Sequence, residues 1–150
     1  AMAAIRETFE ETGLVIGSPA TENVPAPATT AQDSWAPFFA HAFQPCLAQL
    51  SFFARAITPP GRPRRYDTRF FCVDRSAIRH DTGQVDEELS EIDWYTPTQA
   101  MDLDLPPITR VVIEDLADRL QAGPMGPLAH PVPFYHHDDG NFRRDLLTIA

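Results

Sequence analysis

The chain opens with a short stretch, residues 6–14, that constrains its fold more than any other. In a helix its glutamates, Glu7, Glu10 and Glu11, lie at positions i, i+3 and i+4, so three carboxylates share one face. Like charges at this spacing destabilise a helix, and carboxylates near its C-terminal end oppose the helix dipole. A hard divalent cation bound by oxygen ligands would compensate for them. A solvated acidic face is the more ordinary interpretation of such a pattern.

The first 14 residues also predict how this helix packs and where it ends. Met2, Ile5 and Phe9 recur at +3 and +7, which gives an apolar stripe that must pack against a core. Gly13 stands where helices commonly end with a residue of positive φ, and Leu14 supplies the apolar contact beyond it. The sequence therefore predicts an amphipathic helix that ends at Gly13.

Residues 6–14 resemble the second half of the Nudix box, in which Arg-Glu-aliphatic-x-Glu-Glu-x-Gly-aliphatic follows a Gly and a first Glu. The matching positions are Arg6, Glu7, Glu10, Glu11, Gly13 and Leu14, while Thr8 stands where an aliphatic residue is usual. The Gly and the first Glu of the box would lie before residue 1, as would the first strands of the Nudix fold. We therefore expect a single, partial Nudix domain over residues 1–150, whose front end is missing through truncation or disorder.

A predicted hairpin carries a second, independent resemblance. Residues 51–58 and 66–74 have the composition of strands, and the apolar run near the end of the second one favours a central strand covered on both faces. Residues 57–71 are similar to a Nudix branch that includes the mammalian peroxisomal coenzyme A diphosphatase. In that branch a Thr-Pro turn precedes Arg-Arg-aromatic-Asp-Thr-x-Phe-Phe, which corresponds here to residues 58–71.

The turn of this hairpin is basic in an otherwise acidic chain, with Arg62, Arg64 and Arg65. A guanidinium matches two phosphate oxygens at once, so Arg64 and Arg65 are candidates for binding a pyrophosphate. The alternative is that at least one of them pairs with a local acid such as Asp67, or only solubilises the turn.

A candidate catalytic base precedes Trp94. Ile92, Trp94 and Thr96 alternate with polar residues, which predicts a strand that ends at Pro97. Many Nudix enzymes resemble this pattern, with a catalytic Glu six residues before the Trp, and Glu88 stands at that offset. Its alternatives are Glu91 and Glu87, and an exposed acidic loop is the ordinary interpretation of all three.

Residues 18–50 have the pattern of an insertion. Residues 18–30 are mostly small or Pro and are expected to form a mobile loop. Asp33-Ser34 is the predicted N-cap of a helix, and the residues at helical spacing behind it are Trp35, Phe38, Phe39, Ala42 and Phe43. Pro45 would begin another short helix that runs to Leu50. This segment would simply pack on the core, or it would form a lid or a homodimer contact.

The last third of the chain predicts a short helix at 98–101, a longer amphipathic helix at 106–120 and a strand at 131–135. The run His136-His137-Asp138-Asp139 has the residue types of a metal site. Consecutive side chains of a strand point to opposite faces, however, and Asp139-Gly140 is a hairpin turn signal. We therefore predict a structural role for this run.

Charge and cysteine content exclude several classes of function. The 150 residues carry a net charge of −9, which argues against non-specific binding to nucleic acids or anionic membranes. Two cysteines without a CxxC spacing argue against a disulfide framework or a thiolate zinc site and favour the cytoplasm. No apolar run approaches the ~20 residues that cross a bilayer.

The Nudix resemblance implies a fold and an activity. The fold is an α/β/α sandwich around a mixed sheet, incomplete at the N-terminus. The activity is hydrolysis of a pyrophosphate linkage in a nucleoside diphosphate derivative, such as one like coenzyme A. Glu7, Glu10 and Glu11 would hold Mg²⁺ or Mn²⁺, Glu88 would activate water, and Arg6 and Gly13 would support the helix.

The alternative is a Nudix-like domain that binds a nucleotide or a protein without catalysis. The resemblance implies that the absent Gly gives a backbone carbonyl to the metal. We therefore expect these 150 residues by themselves to be nearly inactive.

Overall fold

The computed structural model describes residues 1–20, 32–83, 92–123 and 131–147. Its helices are α1 (Met2–Thr12), α2 (Gln32–Phe39), α3 (Pro97–Ala100) and α4 (Pro107–Ala122). Its strands are β1 (Leu14–Pro19), β2 (Phe43–Pro45), β3 (Ser51–Ile57), β4 (Asp67–Cys72), β5 (Ile78–Asp81), β6 (Val132–Asp138) and β7 (Asn141–Leu147). The chain divides into two compact units: unit 1 is Ala1–Leu50 with Val73–Ile92, and unit 2 is Ser51–Cys72 with Asp93–Ala150.

Helix α1 packs on the core of unit 1 through the predicted stripe, with one exception. Ile5 and Phe9 are buried, whereas Met2 is 37% exposed because it lies in the first helical turn. Gly13 ends the helix with a φ of 70°, and its N–H donates to the carbonyl of Phe9 at 2.8 Å. The predicted helix and its glycine end are confirmed.

The sheet of unit 1 is antiparallel, in the order β2-β1-β5. Its central strand β1 begins directly after Gly13, so α1 and the sheet are joined without a loop. Residues of α1, β1 and α2 form one buried cluster with the residue before β5: Ile5, Phe9, Val15, Ile16, Trp35, Phe38 and Ala77. The ring of Phe38 lies edge-on to those of Phe9 and Trp35, with centroids 5.3 and 5.4 Å away.

The insertion differs from the sequence prediction in its helix ends. Helix α2 begins at Gln32, so Asp33-Ser34 is not its N-cap. It ends at Phe39 because Ala42 takes a φ of 60° and the chain turns back into β2, which pairs with β1. Pro45 ends that strand instead of starting a helix, and a short 3-10 turn follows at Leu47–Gln49.

Two other predictions about residues 18–50 have different outcomes. Most of the predicted mobile loop lies outside the described residues. Of its described residues, Ser18 and Pro19 end β1, and Ala20 follows the strand. Trp35 and Phe38 are 7% and 1% exposed, so α2 packs on the core of unit 1 through its aromatic side.

Unit 2 contains a mixed sheet in the order β4-β3-β6-β7, in which only the β3–β6 pairing is parallel. Helix α4 contributes Val112 to a buried cluster with Phe53, Ala54, Ala56 and Tyr135. The predicted mixed α/β class is confirmed: the described chain combines helices with two sheets, one antiparallel and one mixed.

The second hairpin strand was predicted to be a central strand of its sheet, and this prediction was wrong. The antiparallel hairpin itself forms, with Arg55 opposite Arg69. Among the described strands, however, β4 pairs only with β3 and is an edge strand. Phe70 and Cys72 pack on the core, whereas Asp67 and Arg69 are exposed, as a strand covered on one face requires.

The predicted strand before Pro97 was also wrong. Residues 92–96 have no regular secondary structure and no strand pairing, and Trp94 is 62% exposed. The segment leads into α3, where the Thr96 hydroxyl accepts from the Gln99 N–H at 3.3 Å and the Gln99 side chain accepts from the Thr96 N–H at 2.9 Å. This reciprocal capping box satisfies the helix start, so Thr96 begins a helix instead of ending a strand.

The remaining predictions for the last third are confirmed. Helices α3 and α4 lie where expected, and the strand that begins at Val132 continues to Asp138. Asp139 and Gly140 have φ values of 46° and 77° and form the two-residue turn between β6 and β7.

Candidate active site

An exposed acidic face lies on α1. Because Ile5 and Phe9 turn one side of the helix to the core, Glu7, Glu10 and Glu11 project from the other side and are exposed. The side chains of Glu7 and Glu10 are 58% and 36% exposed. These carboxylates are therefore accessible to a solute.

Arg6 pairs with this face. Its Nη1 donates to both oxygens of Glu10 at 2.8 Å, and its Nη2 lies 3.7 Å from Glu7. Such a pair at i and i+4 stabilises a helix by about 0.2–0.5 kcal/mol. Arg6 therefore supplies part of the compensation that the clustered glutamates require.

The C-terminal end of α1 is fixed by β5. The N–H and the hydroxyl of Thr82 both donate to the carbonyl oxygen of Gly13, at 3.1 and 3.2 Å. One turn earlier, Phe9 is locked in the core beside Phe38. The backbone that carries Glu10 and Glu11 is thereby held between the core and the sheet.

The donor set on α1 fits a hard divalent cation in type, because all three ligands are carboxylates on one helix face. In the described part of the chain, no three acidic, His or Cys side chains already lie close enough together to hold an ion. Glu10 in particular has both oxygens on Arg6. Binding would therefore require Glu10 to exchange this guanidinium for the ion.

The arginine turn of the β3–β4 hairpin is held at its base by Thr58 and Tyr66. The Thr58 N–H donates to the Tyr66 carbonyl, and the Tyr66 N–H donates to the Thr58 hydroxyl, both at 3.0 Å. Arg65 donates through Nε to the Thr58 carbonyl at 3.2 Å. Arg62 and Arg64 are exposed, and neither forms an ion pair with a described residue.

The acid next to this turn is held by strand residues and not by the turn arginines. Asp67 accepts from Nε and Nη2 of Arg55, both at 2.8 Å, and lies 3.6 Å from Arg69. The hydrogen bonds from Arg55 hold the pKa of Asp67 below its ordinary value. The alternative in which a turn arginine pairs with Asp67 is therefore wrong for the described structure.

The candidate residues fall into separate parts of the chain. Glu7, Glu10 and Glu11 belong to unit 1, and Arg64 and Arg65 belong to unit 2. The three candidates for the catalytic base, Glu87, Glu88 and Glu91, lie outside the described residues.

A row of contacts on the sheet of unit 2 was not anticipated from the sequence. The guanidinium of Arg55 lies over the ring of Phe134 at 4.7 Å, and Phe134 stacks on His136 with centroids 4.6 Å apart. His136 Nε2 lies 2.6 Å from a carboxylate oxygen of Asp145. The one signal in the sequence is an arginine inside an otherwise apolar strand.

The two histidines of the run 136–139 contact different neighbours. His136 pairs with Asp145, whereas His137 lies edge-on to Phe142 with centroids 5.5 Å apart. The two imidazoles therefore contact different neighbours, as consecutive strand residues do.

None of the described helices is long and apolar enough to cross a membrane.

The chain was compared with models of known protein families. The model of the NUDIX domain matches residues 1–116, which include the acidic face, the arginine turn and Trp94. Comparison with curated proteins gave no match, and comparison with solved structures gave none. Since the match covers well over half of the sequence and agrees with the mixed α/β fold, the chain belongs to the NUDIX domain family.

Proposed function

We propose that this Nudix domain is a pyrophosphohydrolase that uses Mg²⁺ or Mn²⁺ and acts on a nucleoside diphosphate derivative similar to coenzyme A. Membership of the family supports hydrolysis of such linkages in general. The observation that carries the metal requirement is the exposed face of α1, where Glu7, Glu10 and Glu11 offer only oxygen ligands. The coenzyme A class rests on the resemblance of residues 57–71 to one Nudix branch.

The glutamates of α1 would hold the cation, with Glu11 next to the reacting water. When bound, the ion would neutralise charge on the bridging phosphates and lower the pKa of water. Arg6 already contacts Glu7 and Glu10, and it would release the Glu10 carboxylate when the ion binds. Glu88 would orient the water and take its proton, a role that rests on the family resemblance.

The arginine turn would bind the substrate phosphates. Arg65 is oriented by its hydrogen bond to Thr58, and Arg64 is exposed beside it. Two neighbouring guanidinium groups match the oxygens of a pyrophosphate. The net charge of −9 repels such anions, so local positive charge of this kind is required for binding.

Metal binding is the primary test because it is measured without turnover. Mn²⁺ titration followed by electron paramagnetic resonance measures free ion directly. We expect Glu7→Gln, Glu10→Gln and Glu11→Gln each to weaken binding about tenfold, the loss of one charged ligand. The matched control is Glu114→Gln, which removes the same charge from an exposed position on α4. Equal affinity in all four variants would contradict the assignment of these ligands.

Product analysis tests the substrate class. The protein, with any residues that precede residue 1 in its reading frame, is incubated with Mg²⁺ and coenzyme A, NADH, ADP-ribose or a nucleotide sugar, and cleaved phosphates are quantified. We expect coenzyme A to be cleaved fastest and Arg64→Ala to raise KM about tenfold with little change in kcat. Binding of a nucleotide without any cleavage would favour the non-catalytic alternative.

A further inference from the structure

Strand β7 is an open edge of the unit 2 sheet. It pairs with β6 on one side, and no described strand lies on the other. Residues 141–146 are exposed, and the side chains of Phe142 and Leu146 are 52% and 56% exposed. An edge strand of this length with exposed apolar residues is a template for pairing with another chain.

The hairpin geometry shows which backbone groups of β7 point away from the sheet. The turn has two residues, so the pair that closes it, Asp138 and Asn141, exchanges hydrogen bonds within the hairpin. Since the pattern alternates, the N–H and C=O groups of Phe142, Arg144 and Leu146 point outward. These groups are available to a partner strand.

The sequence of β7 is complementary to itself in one antiparallel register. When two copies pair around a two-fold axis at Arg144, Phe142 lies opposite Leu146 of the other copy, and Arg143 lies opposite Asp145. Both kinds of cross-strand pair are favourable. The outward groups of residues 142, 144 and 146 then meet one another and form about six backbone hydrogen bonds.

The central position of this register also avoids a charge clash. The two Arg144 side chains would face each other across the axis. Each is already bound to Asp115 of its own chain, with Nη2 2.8 Å and Nε 3.2 Å from the carboxylate. This ion pair neutralises the arginine before the strands meet.

We propose that β7 pairs with β7 of a second copy of this chain and that the two unit 2 sheets form one continuous sheet. This proposal does not depend on the acidic face of α1 or on the proposed hydrolysis. A single pair of strands buries less area than a standard interface, so the dimer dissociates on dilution.

Sedimentation velocity over a range of protein concentrations tests the charge pairs. We expect Arg143→Asp to raise the dissociation constant of the dimer about tenfold, because like charges then face each other twice. Asp145→Arg should act in the same direction, and it also removes the contact of Asp145 with His136 of its own chain. The double exchange of both residues recreates the pairs in reverse order and restores the dimer to within about threefold. Asp118→Arg is the matched control, an exposed charge reversal on α4 that leaves dimerisation unchanged.

Hydrogen exchange identifies the strand directly. At high protein concentration the amides of Phe142, Arg144 and Leu146 should exchange more slowly, while those of the opposite edge strand, β4, do not change. Leu146→Pro removes an outward N–H and spares the pairing with β6, so it should abolish the dimer and keep the unfolding midpoint of the monomer. A monomer at every concentration, or a dimer insensitive to these substitutions, would overturn the proposal.

Discussion

At the scale of residues, burial and a neighbouring carboxylate together raise the pKa of Tyr135. It is 1% exposed, and its hydroxyl donates to Asp115 on α4, which also binds Arg144 of β7. Burial, followed by the hydrogen bond to Asp115, raises the pKa of Tyr135 to about 12. The neutral phenol is thus the form that the fold stabilises. The carboxylate of Asp115 joins α4 to β6 and β7.

This shift predicts a loss of stability in alkali. The unfolded tyrosine ionises near pH 10, whereas the folded one stays protonated. The contribution is complete below about pH 10 and is lost as the pH rises to about 12, by an amount on the order of 2 kcal/mol. Urea unfolding between pH 8 and about pH 12 measures the decline, and Tyr135→Phe should flatten it. An equal decline in that variant would assign it to other groups.

At the scale of elements, β1 approaches β2 very closely at Gly17. A Cβ at this position would lie 2.5 Å from the backbone oxygen of Gln44 and 3.4 Å from the ring of Phe38. Only a residue without a side chain lets the strand pass between β2 and the aromatic core. Gly17 is therefore required by crowding, since its φ is not in the positive region.

We expect Gly17→Ala to lower the free energy of unfolding by about 2 kcal/mol, the usual cost of overpacking. Thermal or urea unfolding followed by circular dichroism measures the change. The neighbouring substitution Ser18→Ala is the control, because it removes only a 3.4 Å hydrogen bond from Gln44. Unchanged stability in Gly17→Ala would show that β2 can move aside.

Elements with a strong local pattern were predictable from the sequence. The periodicity of α1 and α4 and the Asp139-Gly140 turn depend on neighbouring residues alone, and the structure has them as expected. The edge position of β4 was not predictable, because it depends on the parallel pairing of β3 with β6, far along the chain. The segment at Trp94 was misassigned because alternation competed with the local capping box at Thr96.

The candidate site was predictable to the same extent. The shared face of Glu7, Glu10 and Glu11 and the contact of Arg6 with Glu10 follow from helical spacing. The hydrogen bond of Arg65 to Thr58 and the capture of Asp67 by Arg55 depend on turn shape and strand register, which spacing does not define.

At the scale of the whole molecule, the net charge of −9 is the dominant long-range feature. Mutual repulsion of the acidic groups destabilises the compact state, and salt screens it. We expect the free energy of unfolding at pH 7.5 to rise by about 1 kcal/mol between 0.05 and 0.5 M NaCl. At a pH near the pI of about 4.8 the increase should vanish. A decrease at pH 7.5 would mean that individual ion pairs outweigh the repulsion.

The parallel pairing of β3 with β6 joins two strands that are far apart in the sequence. It therefore sets the order in which the two sheets are completed during synthesis. All described strands of unit 1 leave the ribosome before residue 82. Strand β3 leaves soon after Leu50, yet its parallel neighbour, β6, is translated only after α4. Since domains generally fold as units, the β3 edge of the nascent β3–β4 hairpin stays unpaired until β6 has been synthesised.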